Sequence, residues 1–248
     1  MQLKYITCSD PREFNNVNDI INLGNISPLV EIAVQSHPSK MSPNMPRYTW
    51  FQELVLQVTT DKSSKINLAM HINREYCDEI CRFGKVPNEI KQFFDFTDDK
   101  GNPIVKRIQL NMPKDTAENV NIKKLSELIS ARPTQEFILQ YNDKTKDVVR
   151  NLGQTKTKFS VLYDASGGCG VLPSEWEKPV FQNHFQGYAG GISPDNVAYN
   201  LDKIDSVVCA KKRPIWIDAE GKLKQDDMFN IDLARKYIQN ALNWQKQR

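Results

Sequence analysis

Short runs of apolar and β-branched residues recur along the chain, and the intervals between them leave room for one amphipathic helix after most of them. The pattern predicts strands over residues 3–7, 29–34, 66–71, 105–111, 136–141, 159–163, 186–189 and 214–217. Helical periodicity falls at 16–23, 48–58, 74–82, 122–131, 144–151, 195–204 and 231–244. Eight strands alternating with helices predict an α/β fold, a single (β/α)₈ TIM barrel occupying residues 1–248 as one domain. An open doubly wound sheet would want a glycine-rich turn after the first strand, where this chain has Cys8-Ser9-Asp10-Pro11. The sixth helix is the weak point of the pattern, because Pro173 and Pro179 leave space for little more than a turn before the seventh strand. The KQFFDF patch within 85–101 predicts a short helix lying on the barrel.

Composition narrows the partners. A formal charge of +3 on 248 residues is too small to indicate a polyanionic polymer, and aromatic and basic residues do not interleave into a stacking groove, so no nucleic acid is expected. The basic run at 211–213 is expected to face solvent. No apolar stretch is long enough to cross a bilayer, and the opening MQLKYITCSD reads as a strand, so neither a membrane nor a secretion signal is expected. The five cysteines are irregularly spaced. Cys77 and Cys81 are helical neighbours without a second pair to complete a zinc site, so they are expected as buried thiols in a reducing, cytoplasmic setting. No metal and no cofactor are expected, and the oligomeric state is left open.

The chemistry concentrates at 159–197. The strand ending at Tyr163 delivers Asp164 to a turn that Gly167 and Gly168 permit. Farther on, Gly190 and Gly191 precede Ser193 as a helix cap, Pro194 at the first helical position, and Asp195 and Asn196. Backbone N–H groups at such a turn suit a phosphate. An ordinary strand-to-helix cap is the other reading.

The stretch from Asp164 to Gly170 followed by Trp176, then Ala189-Gly190-Gly191-Ile192 with Pro194, Asn196 and Val197, resembles phosphoribosylanthranilate isomerase. Gln109-Leu110 and the residues around Ser42-Pro43 and Pro46-Arg47-Tyr48 are fainter echoes, and the FSVLYDASGG, GYAGGISPDNV and IWIDAEGKL segments are similar to a bacterial branch of such barrels. The likeness covers about the last third of the chain.

The resemblance implies Asp164 as general acid and Cys8 as general base, Thr7 being the alternative if the strand register differs by one. It implies a phosphate held by Gly190, Gly191, Ser193, Asp195 and Asn196 together with Glu220 and Gly221, and Asp218 facing the substrate. Arg47 is a candidate for holding a carboxylate and His71 for lining the same face. The ligand expected is a small phosphorylated metabolite, and the reaction an aldose-to-ketose isomerisation. Two alternatives stay open. One is a binding or regulatory protein without turnover; the other is a metal-assisted phosphosugar hydrolase or epimerase using His37 and His71 with the acids. A cap on the turn ahead of Gly167 is the other role open to Asp164, and a buried thiol the other role open to Cys8.

Overall fold

Eight parallel strands hydrogen-bond in chain order and close into a barrel, β1 pairing with both β2 and β8. The computed structural model describes residues 1–61, 63–209 and 212–248. The barrel strands are β1 (Gln2–Ser9), β2 (Val30–Ser36), β3 (Asn67–Asn73), β4 (Val105–Asn111), β5 (Glu136–Tyr141), β6 (Ser160–Tyr163), β7 (Gln186–Ala189) and β8 (Pro214–Ala219). Around them lie α1 (Val17–Gly24), α2 (Pro46–Thr60), α3 (Arg74–Phe83), the short α4 (Lys91–Asp95) and α5 (Lys114–Glu118), α6 (Ile122–Ser130), α7 (Lys146–Gly153), α8 (Val197–Val208) and α9 (Ile231–Lys246). A small hairpin, β9 (Lys224–Gln225) with β10 (Met228–Phe229), stands after β8. The expected single barrel is therefore the fold. Among the described residues β6 runs to β7 without a helix, as the two prolines require, and the KQFFDF patch forms α4. Of the basic run at 211–213, Lys211 lies outside the described residues.

Local chemistry sets the helix starts. Asn16, Asn121 and Asn230 each accept backbone N–H bonds at the heads of α1, α6 and α9, and Pro46 opens α2 where a missing N–H costs nothing. The α3 helix ends on Gly84 at φ 63°, a left-handed cap that glycine adopts freely.

Two cores result. The larger is the apolar shell between sheet and helices, and it includes Ile6 and Cys8 of β1. The smaller fills the barrel interior with Ile138, Leu162, Ala189 and Trp216, against which Tyr5 and Phe185 pack. At its centre the Arg107 guanidinium lies 4.4 Å from the Tyr5 ring centre and 4.3 Å from that of Trp216. It donates to Glu31 at 2.8 Å and Glu136 at 3.0 Å, while Thr7 donates to Glu31 at 2.8 Å. A buried cation is tolerable here because two carboxylates and two ring faces meet its charge, although its buried Nε has no partner among the described residues, and removing one partner of such a pair costs about 3–5 kcal/mol. Gly187 makes room for the plug, since a Cβ there would stand 2.0 Å from the Trp216 ring. The plug closes the barrel beneath the site, so the polar residues farther along the strands face an open end.

Candidate functional site

A cavity of about 520 Å³ opens at the C-terminal ends of the barrel strands, where their connecting loops converge. Because side chains alternate along a strand, each strand sends every second residue to this end: Gln35 from β2, His71 and Asn73 from β3, Gln109 and Asn111 from β4. Gln140 and Asn142, Asp164, and Asp218 with Glu220 continue the wall from the β5, β6 and β8 sides. Lysines and arginines outnumber acids in the lining. Among the described residues Lys40, Arg74, Lys144 and Lys222 line the cavity without an ion pair, and all four are exposed. The mouth thus favours an anion.

Asp218 sits on the floor, 7% exposed. Ser9 donates to its Oδ1 at 2.6 Å, and His71 Nε2 stands 3.8 Å from its Oδ2. Burial pushes its pKa up to about 8; the Ser9 hydrogen bond opposes this and the charges of Glu220, Glu31 and Asp164 add to it. Burial, with the Arg107 charge beneath it, lowers His71 to about 3. At neutral pH the pair therefore holds a protonated carboxyl, able to give its proton and to take one back, beside a neutral imidazole.

Asp164 is buried too, at 4% exposure, but its oxygens are occupied. Oδ1 accepts from Ser166 Oγ at 2.7 Å and Oδ2 from the Gly168 N–H at 2.7 Å, with the Gln140 amide at 3.5 Å. The carboxylate caps the turn after β6, the simpler of the two roles the sequence offered. Gly190 and Gly191 line the cavity at φ 110° and 65°. Their missing side chains admit the loop after β6: a Cβ on Gly190 would meet the Val171 carbonyl oxygen at 2.9 Å, and one on Gly191 the Leu172 nitrogen at 2.5 Å. That close approach accounts for two adjacent glycines without a ligand.

The rest of the expected phosphate cradle is only partly assembled. Gly221 and Glu220 line the cavity, whereas Ser193, Asp195 and Asn196 do not. The Ser193 N–H is taken by Asn196 Oδ1 at 2.8 Å, the Asn196 N–H by Ser193 Oγ at 3.3 Å, and Asp195 pairs outward with Lys236 at 2.6 Å. These three residues serve the head of α8.

Cys8 is displaced from its expected role. Tyr5 and Thr7 of β1 face the barrel interior and Ser9 reaches Asp218, so the intervening Cys8 points to the helical shell near Tyr237 of α9. It does not line the cavity, and burial, then the Asp218 charge, raises its thiol pKa well above the ordinary value. Thr7 is below the floor, bonded to Glu31. Arg47 does reach the wall, where its Nε donates to Glu13 at 2.9 Å and its Nη1 to Asp10 at 3.3 Å. Its buried Nη2 has no partner among the described residues. Burial works against ionisation of Asp10, but hydrogen bonds from Arg12 and Lys224 overcome it and lower the pKa. His37 lines the cavity with Nδ1 2.9 Å from Ser39 Oγ. Among the described residues no three His, Cys, Asp or Glu side chains converge as a metal-binding group.

The carboxamides Gln35, Asn73, Asn111, Gln140 and Asn142 were not among the expected site residues. Their signal was available: amides two apart, or two after a polar residue, at the ends of neighbouring strands.

No protein-family model and no curated protein matches the chain. Solved structures do match. Phosphoribosyl anthranilate isomerase from Thermococcus kodakaraensis superposes with a TM-score of 0.52 at 10% identity, covering 97% of this chain and 99% of that one. A chain of the tryptophan synthase α2β2 complex from Pyrococcus furiosus gives 0.53 at 10% identity, covering 97% and 98%. Two differently named proteins match about equally well, so the likeness carries the barrel architecture and neither an activity nor a bacterial branch. Among the described residues no helix is long and apolar enough to cross a membrane.

Proposed function

We propose that the barrel binds a small phosphorylated metabolite at the C-terminal mouth and performs acid–base chemistry on it, with an intramolecular aldose-to-ketose isomerisation of a phosphosugar as the reaction class. The observation that carries this reading is the Asp218–His71 pair, 3.8 Å apart on the floor of a cavity rimmed by unpaired cations. The rim lysines and Arg74 attract the dianion and hold it away from the floor. Sugar carbons then lie over the pair, where the Asp218 carboxyl protonates the ring oxygen as it opens and the carboxylate so formed takes the proton from the neighbouring carbon, beside the neutral His71 imidazole. The expected Cys8 and Asp164 give way to these two residues because one faces the helices and the other caps a turn.

One observation favours a second reading, a binder without turnover: the acid and base that the resemblance implied are not assembled in one cavity. An assay of the parent protein with phosphoribosylanthranilate and a panel of aldose phosphates separates the two. Turnover that collapses in Asp218→Asn supports the isomerase. Phosphate raising the melting temperature without turnover of any substrate supports the binder, and a melting temperature that phosphate does not move overturns the anion site common to both.

A further inference from the structure

The carboxamides of the cavity wall form one directed chain. Gln109 Nε2 donates to Asn111 Oδ1 at 2.8 Å, Asn111 Nδ2 to Asn73 Oδ1 at 3.0 Å, Asn73 Nδ2 to Gln35 Oε1, and Gln35 Nε2 to Glu220 Oε2 at 2.7 Å. An amide can be turned over to exchange its oxygen and nitrogen, so a lone amide has no fixed sense. Here the sense is forced at two points. Glu220 forms an ion pair with Lys224 Nζ at 2.9 Å, and a carboxylate in an ion pair only accepts, so Gln35 has to present its nitrogen there. Asn73 Nδ2 also donates to the His71 backbone carbonyl at 2.9 Å, which cannot turn over. With both anchors set, each amide must accept from the one before it. The last carboxamide is left with its oxygen unused: Gln109 Oε1 is buried and has no partner among the described residues, and Gln109 itself is 2% exposed on the cavity lining.

A buried acceptor without a donor is costly, and turning Gln109 over would only move the deficit to Asn111. Gln109 is directly opposite His71 in the β3–β4 pairing, so the unmet oxygen belongs to the part of the floor where Asp218 and His71 stand. We propose that this relay makes the cavity selective for a ligand that brings a hydroxyl donor to Gln109 Oε1 beside His71, and that it discriminates against analogues lacking one. The inference deepens the reading of the site as one for a phosphorylated sugar and rests on it. A site arranged around a hydrogen bond to a hydroxyl discriminates strongly against a ligand without it, because the protein atom then stays unpaired.

Calorimetric titration of the parent protein with ribose 5-phosphate, with pentyl phosphate and with inorganic phosphate tests it. Pentyl phosphate carries the same anion on an equal number of carbons without hydroxyls. The parent is expected to prefer the sugar phosphate by about tenfold or more, and Gln109→Leu to bring the two affinities within about twofold of each other. Should Gln109→Leu fail to fold, Gln109→Met replaces the amide with a chain of similar length, and the parent's own preference stands as a test without any variant. Equal affinities in the parent, or a preference that persists in both Gln109 variants, overturns this inference while inorganic phosphate binding keeps the anion site. No binding by any of the three probes overturns the site reading and this inference with it.

Discussion

Asp164 and Asp218 end neighbouring quarters of the same barrel mouth, both nearly buried, both reached by a serine hydroxyl, and their surroundings give them opposite work. Asp164 accepts from a backbone N–H and a hydroxyl of its own turn, so its charge is spent locally on holding the loop after β6. Asp218 receives one hydroxyl from Ser9 on the adjoining strand β1, faces a neutral imidazole, and is pushed up to about 8. A carboxylate that is well supplied with donors builds structure, and one that is starved of them keeps a proton to give. The position at the end of a strand marks both as candidates, but only the partners contributed by β1 and β3 separate them.

The comparison is most sharply exposed by turnover. On any phosphosugar that the parent isomerises, Asp218→Asn is expected to lower kcat about 10²–10⁴-fold, the usual contribution of a positioned acid. Asp164→Asn, which leaves the Asp218–His71 pair in place, is expected to cost far less. Equal losses in the two variants would erase the distinction drawn between them.

Stability should show the reverse order. Asp164→Ala removes the acceptor for Ser166 and Gly168 and is expected to cost about 2–3 kcal/mol in urea unfolding at neutral pH, since each bond to a charged group contributes about 1.5–3 kcal/mol less what water recovers at this loop. Asp218→Asn relieves a group whose ionisation is resisted by burial, so it is expected to be neutral or stabilising above pH 8.

The pH dependence of stability separates the pair members. Asp218 has a folded pKa raised from 3.8 to about 8, so the folded state holds its proton through a range in which the unfolded state has lost it, and stability falls as pH rises from 3.8 towards 8. His71, lowered from 6.5 to about 3, works the other way: the unfolded state takes up the proton first, and stability falls as pH drops below 6.5. Of the pair, only Asp218 still contributes between pH 6.5 and 8, and its contribution is expected to lower stability there with rising pH by up to about 1.4 kcal/mol per unit. Unfolding curves of Asp218→Asn should lack that decline.

Much of this architecture is legible in the chain because barrel strands buried on both sides read as apolar runs; the predicted bounds of β4, β5 and β7 coincide with those observed. The same two-sided burial hides which of Thr7 and Cys8 faces inward, since both are buried. The parity becomes visible only through long-range partners, Glu31 for Thr7 and Asp218 for Ser9. Asp164 and its glycines are conspicuous because the turn is local in sequence. The Asp218–His71 pair and the amide relay draw on β1 to β4 and β8, and no local spacing announces them.

The smallest effect concerns Ser9, whose hydrogen bond favours the ionised form of Asp218. Ser9→Ala is expected to raise the Asp218 midpoint slightly, whereas a downward move would mean that the hydroxyl accepts a hydrogen bond from the Asp218 carboxyl instead of donating one.

The carbon-13 NMR titration of the Asp218 side-chain carboxyl in the folded parent protein addresses the central claim most directly. A midpoint near 8, absent from the spectrum of Asp218→Asn, is the result expected of a proton-holding acid on the cavity floor. A midpoint in the ordinary carboxyl range, at about 4, would contradict it and return Asp218 to the same structural standing as Asp164.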